Sequence, residues 1–176
     1  MKKIEWKLIS ELMKNSRRSD RELAQAIGVS QPTVSRAIKK LEQEGYIKEY
    51  TMIPDFAKLG YEILALTFVK LNERLGGEEI GKARKTAKER LSEGSLEIIM
   101  VEKGTGLGYD GVFLSLHKDY TSYLRFKNAL MQEDIYLEPT VIESFHISLR
   151  DESRFRPLTF TALAKHLLVM KEKEKE

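Results

Sequence analysis

Apolar residues between Ser19 and Tyr46 recur at helical spacing in two short runs that are separated by Gly28. A serine precedes each run at the position of a helix cap, and Glu22 stands three residues after Ser19, which is the spacing of a capping box. Glycine takes the left-handed conformation that ends a helix without a Cβ penalty, so the pattern predicts two helices joined by a tight turn. The positions predicted to face the core are Leu23, Ala24, Ile27, Val34, Ile38 and Leu41.

The segments on either side complete a small N-terminal unit. Residues Ile4–Met13 form an amphipathic pattern and predict a first helix that packs over the other two. After Gly45, the apolar residues Ile47, Tyr50 and Ile53 come before a Pro-Asp pair. That pattern predicts a short strand or wing and then a turn, with a hinge in residues 51–62.

The second half of the chain has a different pattern, in which strands and helices follow one another. The order strand, helix, strand, strand, helix, strand predicts an α+β protein whose second domain is a ferredoxin-like βαββαβ sheet. Both helices would cover one face, and apolar side chains on the other face imply a partner. A one-sided helix at Pro157–Met170 and a charged tail follow. The predicted elements of the sheet domain are Ile63–Leu71, Glu78–Leu91, Leu96–Glu102, Gly111–His117, Asp119–Met131 and Val141–Leu149.

The outward positions of the helix after Gly28 are short, polar and cationic. Ser, Thr and Gln side chains can read base edges or hold phosphates, and Arg and Lys supply positive charge. A helical hairpin with a solvated polar face is the alternative, but Ala24, Gly28, Ser30 and Val34 stand together in the register of a helix-turn-helix, which favours DNA binding. The predicted DNA-binding residues are Ser30, Gln31, Thr33, Ser35, Arg36, Lys39 and Lys40.

Charge and composition narrow the function classes. Residues 1–50 hold eleven Lys and Arg against seven Asp and Glu, while the remainder holds 19 against 20, so the positive excess lies with the predicted DNA-binding helices. The chain has no Cys, and its three His share no ligand spacing, so neither a metal nor a cofactor is predicted. No apolar run reaches the length of a membrane span and no signal peptide is present, so we expect a cytoplasmic protein without a membrane partner. Abundant Lys and Glu resemble the hyperthermophile trend, with a highly charged mesophile protein as the alternative.

Two segments resemble the leucine-responsive regulator/AsnC (Lrp/AsnC, feast/famine) family of bacterial and archaeal transcription regulators. The stretch Glu22–Tyr61 is similar to the DNA-binding helices of that family and to the Lys-Leu-Gly element that leads into its ligand domain. The stretch Gly106–Phe126 contains Gly108-Tyr109-Asp110, which resembles the Gly-x-Tyr-Asp turn of the ligand-sensing domain.

The resemblance implies a domain plan and partners. Residues 1–50 would form the winged helix-turn-helix domain, 51–62 a strand and hinge linker, 63–150 a ferredoxin-like effector-binding and oligomerisation domain, and 151–176 an extra helix and tail. The resemblance further implies homodimers, often assembled into octamers, with an amino acid or similar small effector bound between dimers. A two-fold dimer reads two half-sites about one helical turn apart, so we expect the double-stranded operator to be an imperfect palindrome. The implied effector residues are Gly106, Gly108, Tyr109 and Asp110, with the amides of Gly104–Gly108 available to the effector carboxylate.

Other functions remain open at this point. The glycines between 104 and 111 could suggest a phosphate loop, but a strand-like segment follows them, so a hairpin turn is favoured. Asp110 is either a turn residue or an effector contact. Some proteins of this architecture are tetrapyrrole decarboxylases, which depend on His and Arg chemistry. No catalytic set of residues emerges, so we expect a regulator and not an enzyme. An assembly module without DNA binding is the third alternative, and Arg36, Lys39 and Lys40 argue against it.

Overall fold

The computed structural model describes residues 1–71, 85, 97–131, 139–153 and 158–173. The chain divides into two compact units, one made of Met1–Pro54 with Arg154–Glu176 and one made of Asp55–Ser153. The predicted helix Glu78–Leu91 lies outside the described residues, apart from residue 85. In chain order the elements are α1 (Lys3–Lys14), α2 (Asp20–Ile27), α3 (Gln31–Gln43), β1 (Ile63–Leu71), β2 (Ile98–Gly106), β3 (Tyr109–His117), α4 (Tyr120–Met131), β4 (Pro139–Ser148) and α5 (Thr161–Lys173).

The helices α1, α2 and α3 of the first unit pack around one apolar core. Its fully buried members come from all three helices, and Ile38 and Ile47 pack against its edge. Burying a leucine or valine side chain contributes about 1.5–3 kcal/mol, so this cluster is the main source of stability of the unit. The predicted apolar stripes are confirmed, with a core of Leu8, Leu23, Ala24, Val34 and Leu41.

The predicted short strand after α3 is wrong. Residues 44–62 contain no strand, and residues 56–60 form turns. A strand needs a partner strand for its backbone groups, whereas Ile47 turns back and donates its amide to the carbonyl of Leu41 over 3.2 Å. The side chain of Tyr50 likewise returns to α3, because its hydroxyl donates to Glu42 Oε1 over 2.8 Å.

The predicted C-terminal helix is present as α5, and it belongs to the first unit. It packs on α1, where the hydroxyl of Ser10 donates to the carbonyl oxygen of Ala164 over 2.8 Å. Both residues have no solvent exposure. A buried hydroxyl needs a hydrogen-bond partner, so this contact binds α5 to α1 in one defined register.

The second unit contains one four-stranded sheet with the strand order β2-β3-β1-β4. All three neighbouring pairs are antiparallel. This order and the helix after β3 agree with the predicted ferredoxin-like arrangement. The predicted strand Ile63–Leu71 has the observed bounds, while β2, β3 and β4 differ from their predicted limits by a few residues.

One face of the sheet is covered by α4. Tyr123, Phe126 and Leu130 of the helix pack against Ala65, Val69, Phe113 and Ile142 of the sheet. Polar side chains on the same face are paired with one another. Ser144 Oγ lies 2.8 Å from both Thr67 Oγ1 and the hydroxyl of Tyr123, so the buried hydroxyls satisfy each other.

The opposite face of the sheet carries apolar side chains, several of which are exposed in the described part of the structure. One row runs across all four strands, because Met100 pairs with Leu114, Leu114 with Leu66, and Leu66 with Phe145. Phe145 is 65% exposed and Met100 is 41% exposed. The expectation of an apolar face left bare in a single chain therefore agrees with the described part of the structure.

Candidate nucleic-acid interface

The turn between α2 and α3 fixes the direction in which α3 leaves the core. Gly28 has φ +75°, and the amides of Gly28 and Val29 both donate to the carbonyl of Ala24 over 3.0 Å. At the start of α2, the amide of Ser19 donates to Glu22 Oε2 over 2.7 Å, and the amide of Glu22 donates to Ser19 Oγ over 3.3 Å. The predicted capping box and left-handed glycine are thus confirmed.

The start of α3 differs from its predicted capping. Ser30 is the N-cap residue, but its hydroxyl lies 2.8 Å from Thr33 Oγ1 and makes no bond to a backbone amide. The carbonyl of Ser30 accepts from the amides of Thr33 and Val34, and Pro32 stands in the first turn as predicted. The hydroxyls of Ser30 and Thr33 therefore satisfy each other and do not cap the helix.

Most of the predicted DNA-binding side chains lie exposed on α3 or at its start. Thr33 is half-buried. The guanidinium of Arg36 bonds through Nε to the carbonyl of Pro32 over 3.1 Å, which leaves its terminal amino groups as donors. Among the described residues, neither Arg36 nor Lys39 has an ion-pair partner. The exposed set is Ser30, Gln31, Ser35, Arg36, Lys39 and Lys40.

Lys40 differs from the other cations of α3 because its ammonium group is used inside the unit. Its Nζ lies 2.7 Å from Oε1 of Glu5, a residue of α1 that is only 3% exposed, and 3.7 Å from Oε1 of Glu44. The hydrogen bond from Lys40 holds the pKa of the Glu5 carboxyl below its usual value, helped by the amide of Lys2. Lys40 therefore joins α3 to α1.

Sequence reasoning missed Glu5, although a signal was present. Glu5 stands one helical turn before the buried Leu8 on α1, so the two share a face. It also missed that Arg18 pairs with Glu11, which binds the loop after α1 back to that helix. Only the folded structure shows which basic residues are bound internally.

Tyr50 contacts α3 through its hydroxyl. Partial desolvation of its half-exposed ring, its hydrogen bond to Glu42 and the charges of Glu42 and Asp20 raise the pKa of Tyr50 to about 12. The phenol is therefore neutral at physiological pH and serves as a hydrogen-bond donor. This contact keeps the segment after α3 beside that helix without a strand.

The residues implied for effector binding lie on the hairpin that joins β2 to β3. The turn has only two residues, Leu107 with φ 52° and Gly108 with φ 81°. Gly106 ends β2 and pairs with Tyr109, the first residue of β3. Two positive φ angles are typical of a type I′ turn, so a hairpin and not a phosphate loop is confirmed.

The predicted backbone nest would lie at the end of β2 and in this turn, and it stays a prediction. Gly104 and Gly106 belong to β2, whose register with β3 shifts between Lys103 and Gly106. Asp110 is likewise a strand residue and not a turn residue. The hydroxyl of Tyr109 donates to Glu143 Oε2 on β4, and its ring lies 5.6 Å from the ring of Phe68.

A cavity of about 490 Å³ lies at the opposite end of β3. Charged side chains of both signs surround it, and His117 forms part of its wall. Burial lowers the pKa of His117 to about 4, with a smaller contribution from His146, so the ring is neutral near pH 7. The lining residues are Glu97, His117, Lys118, Asp119, Ser122, Arg125 and Phe126.

Comparison with known proteins bears on the first unit and on the whole fold. Residues 1–48 match a family model described as winged helix-turn-helix DNA-binding. An HTH-type transcriptional regulator of Pyrococcus horikoshii, PH0061, is 34% identical over 119 residues, which cover 66% of this chain and 73% of that protein. The crystal structure of PH0061 has a TM-score of 0.70 and 25% sequence identity, covering 90% of this chain and 97% of the other.

The regulator LrpC of Bacillus subtilis is 43% identical over 60 residues, which cover 34% of this chain and 42% of LrpC. Its structure has a TM-score of 0.67 at 22% identity and covers 89% of this chain and 99% of that chain. This chain belongs to the Lrp/AsnC family of transcription regulators. Across curated relatives, the matched share of the relative's own length runs from 42% to 82%, so the chain spans only about half of some of them.

Family membership settles two further points. The relatives are named transcriptional regulators, so a regulator and not an enzyme is confirmed. The α+β class with an N-terminal helix-turn-helix is confirmed as well. A further Lrp/AsnC-like fold is that of the regulator NMB0573 of Neisseria meningitidis, solved as a complex with L-Met, with a TM-score of 0.69 at 17% identity over 93% of this chain and 99% of that one.

Two kinds of feature are absent from the described residues. No helix in the described part of the chain is long and apolar enough to cross a bilayer. Within the same residues, no group of three or more His, Asp or Glu side chains could hold a metal ion.

We expect Glu5→Gln to destabilise the first unit by about 1–2 kcal/mol at pH 7, because hydrogen bonds to a charged group are lost while Gln keeps the side-chain size. The lowered pKa of Glu5 stabilises the fold above the usual carboxyl value of 4.5, and this contribution is lost as the pH falls below it. The variant should therefore lose less stability than the wild type between about pH 5 and about pH 3, the range in which a glutamate titrates.

Urea unfolding at several pH values measures this difference. Glu49→Gln removes an exposed carboxylate of the same unit and serves as the matched control. Equal stability of Glu5→Gln and the wild type at pH 7 would contradict a structural role for the Glu5–Lys40 pair.

Proposed function

We propose that this protein is a sequence-specific DNA-binding regulator that inserts α3 into the major groove. The observation that carries the proposal is the split among the cations of the first unit. Lys40 and Arg18 are bound to buried or half-buried carboxylates, whereas Arg36 and Lys39 remain exposed without ion pairs among the described residues. Exposed cations beside Gln31 and Ser35 form the combination of charge and base-reading groups that DNA recognition needs.

The dimensions of α3 agree with this role. A helix of 13 residues is roughly 20 Å long, and the major groove is about 12 Å wide, so α3 can lie in it over a few base pairs. Gln31 and Ser35 lie towards its N-terminal half, where groove-reading residues of a helix-turn-helix are found. A DNA-binding regulator must occupy the same compartment as its DNA, and this supports the expected cytoplasmic location.

One α3 reads too few base pairs for useful specificity, so we propose a homodimer on an imperfect palindrome. The row Met100, Leu114, Leu66 and Phe145 supports the sheet face as the dimer surface, because these side chains cross all four strands without a cover among the described residues. A two-fold axis through this face would place the same apolar row against itself. Assembly of such dimers into an octamer is a further proposal, which rests on the family resemblance.

We also propose that the regulator responds to an amino acid or a related small metabolite. The regulator NMB0573, which shares this fold, was solved as a complex with L-Met, and this supports an amino acid as the ligand class. Gly106, Gly108, Tyr109 and Asp110 remain one candidate site. The cavity at the other end of β3 is the stronger candidate, because it has the size of a small-molecule site and offers carboxylates for an ammonium group and Arg125 for a carboxylate.

The DNA-binding proposal predicts different effects for two substitutions on α3. Arg36→Ala should lower affinity for the selected operator by about 1–3 kcal/mol, if its guanidinium contacts a base edge. Lys39→Ala should weaken binding to all duplexes and reduce the salt slope by about 0.9 per contacted phosphate. Selection from a random duplex pool, followed by titrations at several salt concentrations, measures both.

Lys165→Ala removes an exposed cation of α5 and is the charge-matched control, which should bind as the wild type does. Lys40 is left unchanged because its loss would disturb the contact to α1. Wild-type affinity in an Arg36→Ala, Lys39→Ala double variant would refute the proposed interface.

The dimer proposal predicts that Phe145→Glu gives a monomer at micromolar concentration. A symmetric interface buries this ring twice, and each loss costs about 2–3 kcal/mol, so dimerisation should weaken by at least roughly a hundredfold. Light scattering coupled to size exclusion measures the mass. Met52→Glu replaces an apolar residue of the first unit that is 74% exposed and should leave the mass unchanged. A wild-type protein that is monomeric at micromolar concentration would contradict the dimer proposal.

The effector proposal predicts that at least one common amino acid raises the melting temperature of the wild-type protein. Arg125→Ala should abolish the shift if the cavity is the site, and Asp110→Ala should abolish it if the turn is the site. The two variants serve as controls for each other. No thermal shift with any common amino acid would remove the amino-acid effector from the proposal.

A further inference from the structure

Asp20 and Ser35 are in contact between the start of α2 and the exposed face of α3. The hydroxyl of Ser35 donates to Oδ2 of Asp20, which is the first residue of α2, and it also lies 3.3 Å from the carbonyl oxygen of Gln31. An ionised carboxylate only accepts hydrogen bonds, so the shared hydrogen belongs to the serine. The donor capacity of Ser35 is therefore used within the protein.

This contact limits what Ser35 can recognise. A hydroxyl carries one hydrogen and two lone pairs, so a hydroxyl whose hydrogen is engaged can only accept from another group. In the major groove, adenine N6 and cytosine N4 are donors, whereas guanine O6 and N7 and thymine O4 are acceptors. Ser35 can thus bond to adenine or cytosine and has no hydrogen to offer guanine or thymine.

Asp20 adds to the same preference through its charge. A carboxylate beside the groove repels the acceptor atoms of guanine and thymine and attracts amino groups. Asp20 is the first residue of α2, where the amides of a helix start carry partial positive charge. Asp20 is half-buried and Ser35 is exposed, so the serine oxygen remains open to a ligand while the carboxylate lies behind it.

We propose that Asp20 is a specificity-determining residue that acts through Ser35. It commits the Ser35 hydroxyl to an acceptor role, so that one position of each half-site is read as adenine or cytosine and not as guanine or thymine. The inference rests on the proposed DNA binding by α3. The carbonyl of Gln31 is a weaker competitor for the hydrogen, because a charge-assisted bond is about twice as strong as a neutral one.

The test compares base preferences and not affinities alone. The wild type, Asp20→Ala, Ser35→Ala and the double variant are each used to select duplexes from a random pool. The wild type should prefer adenine or cytosine at one half-site position by about tenfold, and Asp20→Ala should reduce that preference to about twofold or less. Ser35→Ala should also lose the preference, and the double variant should match Ser35→Ala at that position.

Controls separate this role from a general effect of charge or of stability. Glu49→Gln removes an exposed negative charge of the first unit and should raise affinity for all duplexes without changing any base preference. Thermal melting of each variant shows that α2 is still folded. Retention of the wild-type base preferences by Asp20→Ala would overturn the inference, even where its overall affinity rises.

The outcome also distinguishes this inference from the proposed function. If the wild type selects no sequence from the pool, DNA recognition by α3 fails, and the specificity role fails with it. If the wild type selects a defined site and the Asp20→Ala variant selects the same site with the same preferences, only the role of Asp20 fails. A changed preference at positions other than one per half-site would likewise contradict a path through Ser35.

Discussion

The left-handed turn at Gly28 is the constraint on which the first unit depends. A Cβ atom built at this position would meet no other atom within 4 Å, so space is not what requires glycine there. The φ of +75° is the requirement, because other residues rarely adopt it without strain. The turn ends α2 and redirects the chain so that Val34 and Leu41 enter the core while the polar face of α3 points outward. The same turn connects the two helices that Ser35 and Asp20 join by a hydrogen bond.

The electrostatics of the first unit divide its basic residues into two classes. Lys14 and Arg18 pair with Glu11, and Lys40 pairs with Glu5. These contacts hold α1, the following loop and α3 together, so the cations that make them are part of the structure. Arg36 and Lys39 carry their charge on the surface of α3. A count of basic residues along the sequence therefore overestimates the charge that is available to a phosphate backbone.

The two faces of the sheet in the second unit differ in how their side chains are covered. The face under α4 is closed by apolar packing and by paired hydroxyls, such as Thr67 with Ser144. The other face has a continuous apolar row with no cover in the described part of the chain, and such a surface favours a partner. The two ends of β3 differ as well. A two-residue hairpin occupies one end, and a cavity with charges of both signs occupies the other.

The sequence by itself determined the elements whose cause is local. Ser19, Glu22 and Gly28 set the bounds of α2 through capping and backbone conformation, and the apolar periodicity identified Leu23, Val34 and Leu41 as core residues. The order of strands and helices was sufficient for the ferredoxin-like topology, because hydrophobic patterns and turn residues act over a few positions. The family could also be recognised from two local motifs.

Only the tertiary structure decided the contacts between residues that are distant in the chain. Glu5 and Lys40 are 35 residues apart, and Ser10 and Ala164 are 154 residues apart. No local sequence pattern predicts either contact. The predicted strand after α3 failed for the same reason, because a strand forms only where a partner supplies hydrogen bonds, and the amide of Ile47 bonds to the carbonyl of Leu41 in α3. Periodicity shows which side of an element is buried, but the pairing of side chains across elements depends on the packing of the whole unit.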